Sequence, residues 1–192
     1  MPFIVAPAPR RVIVALSGYQ GHGKTTAARW LADRHGFVHT SFATPIRAGL
    51  CASFGMTEAW FQGAAKIAAC DQLCGATPRE AMEKFGDAGR AIDKDMWVRA
   101  WDRGLPDESL IVIDDARYDR EVEYALGVAR RRGAQFVMME IARPEYDTGT
   151  AHESNRLPAV PEDVLSFAVS NRGTADELGA AIVARLNIWG LL

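Results

Sequence analysis

Short apolar runs alternate with longer segments of mixed apolar and polar positions along most of the chain. The runs are rich in β-branched residues, which is typical of strands that are buried on both faces of a parallel sheet. They predict strands at residues 12–16, 37–41, 110–114, 135–141 and 167–170. Because the strands alternate with helices, the pattern predicts one α/β domain whose parallel sheet has helices on both faces.

The segments between the strands carry helix start and stop signals. Thr77 and Thr174 each stand three residues before a glutamate, which is the capping-box pattern, and the pair Thr44-Pro45 predicts an N-cap with proline at the first helical position. Residues 142–161 are polar and contain three prolines, so they predict an excursion from the core. The predicted helices cover residues 24–35 and 44–54, residues 57–76 with breaks at Gly63 and Gly75, a segment starting at 77, residues 93–104 and 120–132, and a segment after 174.

Composition narrows the class of protein. A chain of 192 residues suits one compact domain, and its net charge of −2 offers no basic surface for nucleic acid. Three cysteines are too few and too irregular for a disulfide scaffold, so we expect buried or half-buried free thiols. No apolar run reaches the length of a membrane span, and the first residues do not resemble a signal peptide. We therefore expect a cytoplasmic protein without nucleic-acid or membrane partners.

Residues 18–25 read GYQGHGKT and match the motif G-x-x-x-x-G-K-[ST] at every fixed position, between a predicted strand and a predicted helix. In such a phosphate loop, backbone N–H groups surround phosphate oxygens, the lysine reaches the β- and γ-phosphates, and the hydroxyl binds Mg²⁺. We therefore expect ATP and Mg²⁺ as cofactors, with Thr25 on the metal. The expected donor-site residues are Gly18, Gly21, His22, Gly23, Lys24, Thr25 and Thr26.

A carboxylate at the end of a neighbouring strand would complete such a metal site. Asp114 and Asp115 close the predicted strand 110–114. Adjacent strand residues face opposite sides of a sheet, so we expect only one of the two to point at the metal. The pattern of residues does not decide which one.

Further segments follow in a fixed order: 41–47 (SFATPIR), 77–80 (TPRE) with Gly86, Gly89 and Arg90, 95–99 (DMWVR), 115–118 (DARY) and 171–174 (NRGT). Together with the phosphate loop they resemble the deoxynucleoside monophosphate kinases of the bacteriophage type. The resemblance implies a P-loop kinase fold with a five-stranded parallel sheet. It also implies a core of residues 11–41, 109–141 and 162–192, a helical substrate-binding lobe at about 42–108 and a lid at about 142–161.

The resemblance also implies an activity and its residues. The reaction would move the γ-phosphoryl group of ATP to a deoxynucleoside 5′-monophosphate, with Asp115 rather than Asp114 as the second metal ligand. Arginine suits the binding of two phosphorylated substrates because its planar fork pairs with phosphate oxygens. The implied catalytic residues are Lys24, Asp115, Arg117 and Arg143. The implied acceptor-binding residues are Arg47, Arg79, Arg90, Asp95, Trp97 and Arg117, the lid residues are Arg143, His152 and Arg156, and the adenine contacts are Asn171 and Gly173.

Other interpretations stay open at this stage. Trp97 and Trp101 are spaced i,i+4, so both also fit a buried helix face without any contact to a nucleobase. Another P-loop small-molecule kinase, acting on dephospho-coenzyme A or a sugar acid, would share the phosphate loop and the lid. A P-loop ATPase or switch protein would share the loop alone. The expected partner is a small molecule, and the sequence leaves a homodimer open.

Overall fold

The computed structural model describes residues 11–144 and 157–192, and these form five strands and six α-helices. The strands are β1 (Val12–Ser17), β2 (Val38–Thr40), β3 (Leu110–Ile113), β4 (Gln135–Ala142) and β5 (Leu165–Ser170). The helices are α1 (Lys24–His35), α2 (Thr44–Phe54), α3 (Pro78–Ile92), α4 (Met96–Gly104), α5 (Asp119–Arg132) and α6 (Ala175–Ile188). Every predicted strand is present, and no strand end differs from its predicted position by more than two residues.

The five strands form one parallel sheet in the order β2-β3-β1-β4-β5. Strand β1 lies in the middle, and its Val14 pairs with Val112 of β3 and with Val137 of β4. The chain leaves β1 where the strand order reverses direction, and such switch points in α/β sheets are where ligands bind. The predicted parallel α/β sheet is therefore confirmed, and the phosphate loop follows the strand at its centre.

Helices cover both faces of the sheet, which explains why all six residues of β1 are buried. Val14 and Leu16 pack into one cluster with α1 and α6, to which Leu31 and Ile182 contribute. Burying a side chain of this size stabilises the fold by about 1.5–3 kcal/mol. Helix α5, with buried Val122, Ala125, Val128 and Ala129, packs against β1 and β4. The core thereby fixes the ends of β1, β3 and β4, where the chemistry-bearing residues lie.

The chain divides into two compact units. The first combines the chain up to Thr40 with the chain from Pro106 onward and contains the sheet, α1, α5 and α6. The second is Ser41–Leu105 and contains α2, α3 and α4 around the buried side chains of Ile46, Leu50, Met56, Phe61 and Cys70. The roles that the sequence assigns to a core and a substrate-binding lobe stay predictions.

One predicted helix is wrong. Residues 57–76 form three short 3₁₀ turns, Glu58–Phe61, Gly63–Ile67 and Asp71–Leu73, rather than an α-helix. Gly63 and Gly75 have φ values of +52° and +88°, which no α-helix accommodates. The breaks that the sequence predicts at these two glycines are therefore present, but the turns on either side of them are 3₁₀ and not α-helical.

The predicted helix starts are correct at two capping boxes. The backbone amide of Glu80 donates to the hydroxyl of Thr77, and the backbone amide of Glu177 donates to the hydroxyl of Thr174. Both distances are 3.2 Å. Helix α2 differs by one residue, because Thr44 is its first helical residue and Ala43 is its N-cap. Helix α4 begins at Met96, three residues after the predicted start, because Asp93 ends α3.

Two expectations from composition can be compared with the structure. All three cysteines are free thiols; Cys70 is buried and Cys51 half-buried, as the sequence predicts, whereas Cys74 is exposed. Across residues 11–144 and 157–192 we find no helix with the length and apolar character that crossing a membrane requires.

Candidate phosphate-binding site

The loop between β1 and α1 depends on two glycines. Gly18 has a φ of +131° and Gly23 a φ of +100°, values that side-chain-bearing residues adopt only under strain. Space is equally restrictive: a Cβ atom on Gly18 would collide with the carbonyl oxygen of Ile141, and one on Gly23 would lie 2.5 Å from Nδ2 of Asn171. The loop therefore packs directly against the residues that end β4 and follow β5.

The first turn of α1 is open to a ligand. Gly23 is the N-cap of the helix and offers no side chain to its free N–H groups, which carry partial positive charge. Thr25 and Thr26 are exposed, and within the described residues neither hydroxyl has a hydrogen-bond partner. The turn can thus offer N–H donors to an anion and a hydroxyl oxygen to a cation.

Lys24 is held inside the loop, with only 8% of its surface exposed. Its ammonium donates to the carbonyl oxygens of Gly18 at 2.5 Å and Tyr19 at 2.8 Å. Burial, and next the positive charge of Arg117, lower the pKa of Lys24 from 10.5 to about 8, while Asp114 and Asp115 act in the opposite direction. The fold therefore keeps a cation where charge is unfavourable, and a bound polyanion would relieve that cost.

The two carboxylates after β3 have different surroundings. Asp114 is buried, and its Oδ2 lies 3.1 Å from Nε2 of His39 on β2, although the two atoms are not aligned for a hydrogen bond. Asp115 is half-buried. Both are close enough to Lys24 to favour its charged form. The structure thus brings both candidates near the phosphate loop, and the choice of Asp115 as the metal ligand stays a prediction.

Arg117 is placed by a carboxylate on α5. Oε2 of Glu121 accepts the backbone N–H groups of Arg117 at 2.8 Å and Tyr118 at 3.1 Å. Burial, and next the nearby negative charge of Asp115, raise the pKa of Glu121 above its usual value, although these two hydrogen bonds act in the opposite direction. Glu121 therefore fixes the short segment that carries Asp115 and Arg117.

The ends of β4 and β5 meet the phosphate loop at His22. Nδ1 of its buried imidazole lies 3.1 Å from the carbonyl oxygen of Ile141 and 3.2 Å from the backbone nitrogen of Arg143. The His22 carbonyl accepts a hydrogen bond of 2.9 Å from Nδ2 of Asn171. The backbone N–H of Asn171 in turn donates to the carbonyl of Ala142 over 2.7 Å. Three sequence-predicted residues, His22, Arg143 and Asn171, thus belong to one hydrogen-bonded group.

Arg47 belongs to the second unit and is engaged within it. Its Nε donates to Oε2 of Glu58 over 3.0 Å, and its terminal nitrogens donate to Thr44 at 3.1 Å and Ser41 at 3.4 Å. These contacts involve both ends of the guanidinium, so a phosphate would have to compete with a carboxylate for it.

Arg79 and Arg90 both lie on α3 of the second unit. Arg79 is half-buried, and its guanidinium forms no hydrogen bond or ion pair with any residue in the described parts of the chain. Arg90 donates to Oδ1 of Asp87 over 2.7 Å, and its guanidinium lies beside Gly86, where an added Cβ would come within 3.0 Å of it. Arg79 is therefore the more readily available of these two cations.

Trp97 packs against α3. Its indole N–H donates to the carbonyl of Gly86 over 2.8 Å, and its ring occupies the space that a Cβ on Gly89 would need. The ring also lies 5.4 Å from that of Phe85, centroid to centroid. These contacts favour the packing interpretation of Trp97, and its contact with a nucleobase stays a prediction.

The remaining predicted residues have simple local settings. Asp95 precedes α4 and lies 3.4 Å from the guanidinium of Arg99. Gly173 lies in the turn after β5, where a Cβ would collide with the carboxylate of Glu177. His152 and Arg156 lie outside the described residues. Donor-side candidates thus occur in the first unit, and the candidates Arg47, Arg79, Arg90, Asp95 and Trp97 occur in the second.

Two groups that support the site, Glu121 and Ile141, are not among the residues that the sequence predicts. Glu121 acts through its carboxylate, and its position three residues after Tyr118 was the available signal, since a glutamate there is half of a capping box. Ile141 contributes only a backbone carbonyl, at the start of the loop and at His22. No side-chain pattern could have indicated that contact.

No protein-family model matches the chain. A protein of Acanthamoeba polyphaga mimivirus named "Putative deoxynucleotide monophosphate kinase" is 31% identical over 191 residues, which cover 90% of this chain and 95% of the viral protein. The solved structure of a gluconokinase from Sinorhizobium meliloti 1021 matches this chain with a TM-score of 0.52 at 14% sequence identity. The match covers 94% of this chain and 93% of the gluconokinase chain. A structure described as "a putative kinase" from Chloroflexus aurantiacus matches with a TM-score of 0.56 at 12% sequence identity. That match covers 95% of this chain and 99% of the other. At such identities the two structures support the fold alone.

Proposed function

Because the chain belongs to the deoxynucleotide monophosphate kinase family, we propose that it transfers the γ-phosphoryl group of ATP to a deoxynucleoside 5′-monophosphate. Kinase activity with a nucleoside triphosphate donor follows from the family. The acceptor class is the part that the proposal adds, as are the individual residues and the metal.

One observation carries the donor side of the proposal. Lys24 is buried in a glycine loop, and the charge of Arg117 is near enough to lower its pKa. Lys24 at the start of a helix suits the phosphates of the donor, and Arg117 beside it suits the phosphate of an acceptor brought next to them. The backbone of Arg117 is fixed by Glu121, so its guanidinium can be positioned before the ligand arrives.

The residues present fit Mg²⁺. Thr25 has an uncommitted hydroxyl, and Asp114 and Asp115 lie near Lys24. No group of three or more histidine, cysteine, aspartate or glutamate side chains forms a metal site within the described residues, and Mg²⁺ needs none, because it is held by one or two protein oxygens together with phosphates and water. We propose Thr25 and Asp115 as its ligands. When bound, the ion would neutralise charge on the phosphate oxygens.

Lys24 and Mg²⁺ serve the donor, so the acceptor side requires further cations. An acceptor dianion must be neutralised before its oxygen can approach the γ-phosphorus. We assign this role to Arg90 and Arg117, with Arg79 as a further candidate because its guanidinium is uncommitted within the described chain. Arg143, which follows β4, is proposed to meet the transferring phosphoryl group. The cytoplasmic location remains an expectation from the sequence, and a homodimer remains open.

The test is a coupled ADP-release assay with Mg-ATP across all common ribo- and deoxyribonucleoside monophosphates, with gluconate and dephospho-coenzyme A as contrasting acceptors. We expect turnover with one or more deoxynucleoside monophosphates, and at least a hundredfold loss in Lys24→Ala, as for removal of a key electrostatic donor. Lys94→Ala, an exposed lysine after α3, is the matched control and should retain wild-type turnover. Turnover with gluconate or dephospho-coenzyme A alone would overturn the acceptor class. Rapid ATP hydrolysis without any acceptor would indicate an ATPase.

A further inference from the structure

His22 is an unusual residue within the phosphate loop. Its neighbours Gly21 and Gly23 have no side chains, yet its own imidazole is only 6% exposed and points to the end of β4. The ring also packs edge-on against Tyr19, with centroids 5.4 Å apart. A buried polar ring in a loop that binds through its backbone calls for a reason other than ligand contact.

The ring meets two backbone groups of one strand end. Its Nδ1 lies 3.1 Å from the carbonyl oxygen of Ile141 and 3.2 Å from the nitrogen of Arg143. A neutral imidazole nitrogen either accepts or donates, so Nδ1 bonds one of these groups at a time. When Nδ1 accepts a hydrogen bond from the backbone N–H of Arg143, it fixes the backbone from which the Arg143 guanidinium extends. That geometry requires the tautomer with its proton on Nε2.

The backbone of His22 is held from the other side. Its carbonyl accepts from Nδ2 of Asn171, and the N–H of Asn171 donates to the carbonyl of Ala142. These contacts link His22, Ile141, Ala142, Arg143 and Asn171 into one group. It joins the phosphate loop to the chain that follows β4 and to the turn that follows β5.

We propose that His22 is a positioning residue: it ties the backbone of Arg143 to the phosphate loop, so that ATP binding in the loop also places the Arg143 guanidinium. The role of Arg143 in phosphoryl transfer rests on the proposed function, whereas the tie between His22 and the Arg143 backbone does not. His22 itself touches neither substrate in this arrangement. Its effect reaches the reaction through Arg143.

Two substitutions separate this role from plain packing. Asparagine at position 22 can place its side-chain oxygen near the position of Nδ1 and accept from Arg143, whereas leucine fills similar space without an acceptor. We expect His22→Leu to lower kcat by about tenfold or more, as for a misplaced catalytic cation, and His22→Asn to recover most of that loss. The acceptor KM should change less than about twofold in both. Equal losses in both variants would show that the hydrogen bond is not what matters.

A double-mutant cycle with Arg143→Ala tests the route. If His22 acts through Arg143, His22→Leu causes no further loss of kcat once the Arg143 side chain is removed. Additive losses in the double variant would overturn the proposal. Thermal stabilisation by Mg-ATP in each variant identifies those that still fold and bind the donor.

A measurement without acceptor separates failure of this inference from failure of the proposed function. Hydrogen exchange of the Arg143 amide, followed by NMR with and without Mg-ATP, reports the tie directly. We expect protection that increases with Mg-ATP in the wild type, is retained in His22→Asn and is lost in His22→Leu. An unprotected Arg143 amide in the wild type would overturn the proposal even if the enzyme phosphorylates deoxynucleotides. Conversely, a protected amide in a protein inactive on every monophosphate would leave the tie intact and remove the acceptor assignment.

Discussion

Replacing Lys24 by methionine tests whether the phosphate loop is assembled at the expense of stability. The two side chains are similar in length, but methionine carries no charge and is at home in a buried setting. In the wild type, burial and Arg117 lower the pKa of Lys24 from 10.5 to about 8. The folded protein thus disfavours the charged form, which is the form present at neutral pH.

The size of the effect follows from the shift. Lowering the pKa of Lys24 from 10.5 to about 8 destabilises the wild type by about 3 kcal/mol at pH 7, at about 1.4 kcal/mol for each pH unit. The hydrogen bonds from Lys24 to Gly18 and Tyr19 offset part of this, so the net gain of Lys24→Met at pH 7 should be smaller. The dependence on pH is the sharper quantity. Between about pH 8 and 10.5 the unfolded chain binds more protons at this lysine than the folded protein, so the wild type gains stability as pH rises. From pH 7 to 9.5 that gain is about 2 kcal/mol.

Denaturant unfolding without nucleotide at pH 7, 8, 9 and 9.5 measures this effect. The free energy of unfolding of the wild type should rise by about 2 kcal/mol relative to that of Lys24→Met across the range. Lys94→Met, at an exposed lysine, should run parallel to the wild type. Because other groups titrate equally in all three proteins, they cancel in the differences. Parallel profiles for the wild type and Lys24→Met would refute the claim that the fold depresses the pKa of this lysine.

Three further predictions concern individual residues. Gly23→Ala should weaken ATP binding by at least about tenfold, because a Cβ would lie 2.5 Å from Nδ2 of Asn171 and the φ of Gly23 is +100°. Calorimetric titration with Mg-ATP measures the affinity, and an unchanged affinity would contradict the prediction. Arg90→Lys should lower kcat/KM for the acceptor by about tenfold or more, because lysine lacks the bidentate fork. The control Arg103→Lys, at an exposed site, should leave kcat/KM unchanged. Loss of ATP affinity in Arg90→Lys would instead place Arg90 on the donor side. Asp115→Asn should raise the Mg²⁺ concentration needed for half-maximal activity more than Asp114→Asn does, and the reverse order would assign the metal to the buried aspartate.

The sequence by itself determined the elements whose signals are local. Strand β1 was predictable because a run buried on both faces needs apolar residues at every position, and α1 was predicted with its observed bounds, Lys24–His35. The capping boxes at Thr77 and Thr174 were readable because their hydrogen bonds join residues three apart. The phosphate loop was recognisable because its glycines, lysine and threonine occupy eight consecutive positions. Family resemblance then supplied candidates elsewhere in the chain, such as Arg90 and Arg117.

Only the tertiary structure decided how distant segments meet. Contacts between residues 119 to 149 positions apart bring His22 to Ile141, Arg143 and Asn171, and no local pattern records such pairings. The pKa of Lys24 likewise depends on burial and on Arg117, which is 93 positions away in the printed sequence. In the segment 57–76 the breaks at Gly63 and Gly75 were readable from the sequence, whereas the 3₁₀ form of the turns was not, because its alanines favour an α-helix locally. Local propensity fixes what each segment can form, whereas close packing decides which groups share a low-dielectric neighbourhood and therefore how they behave chemically.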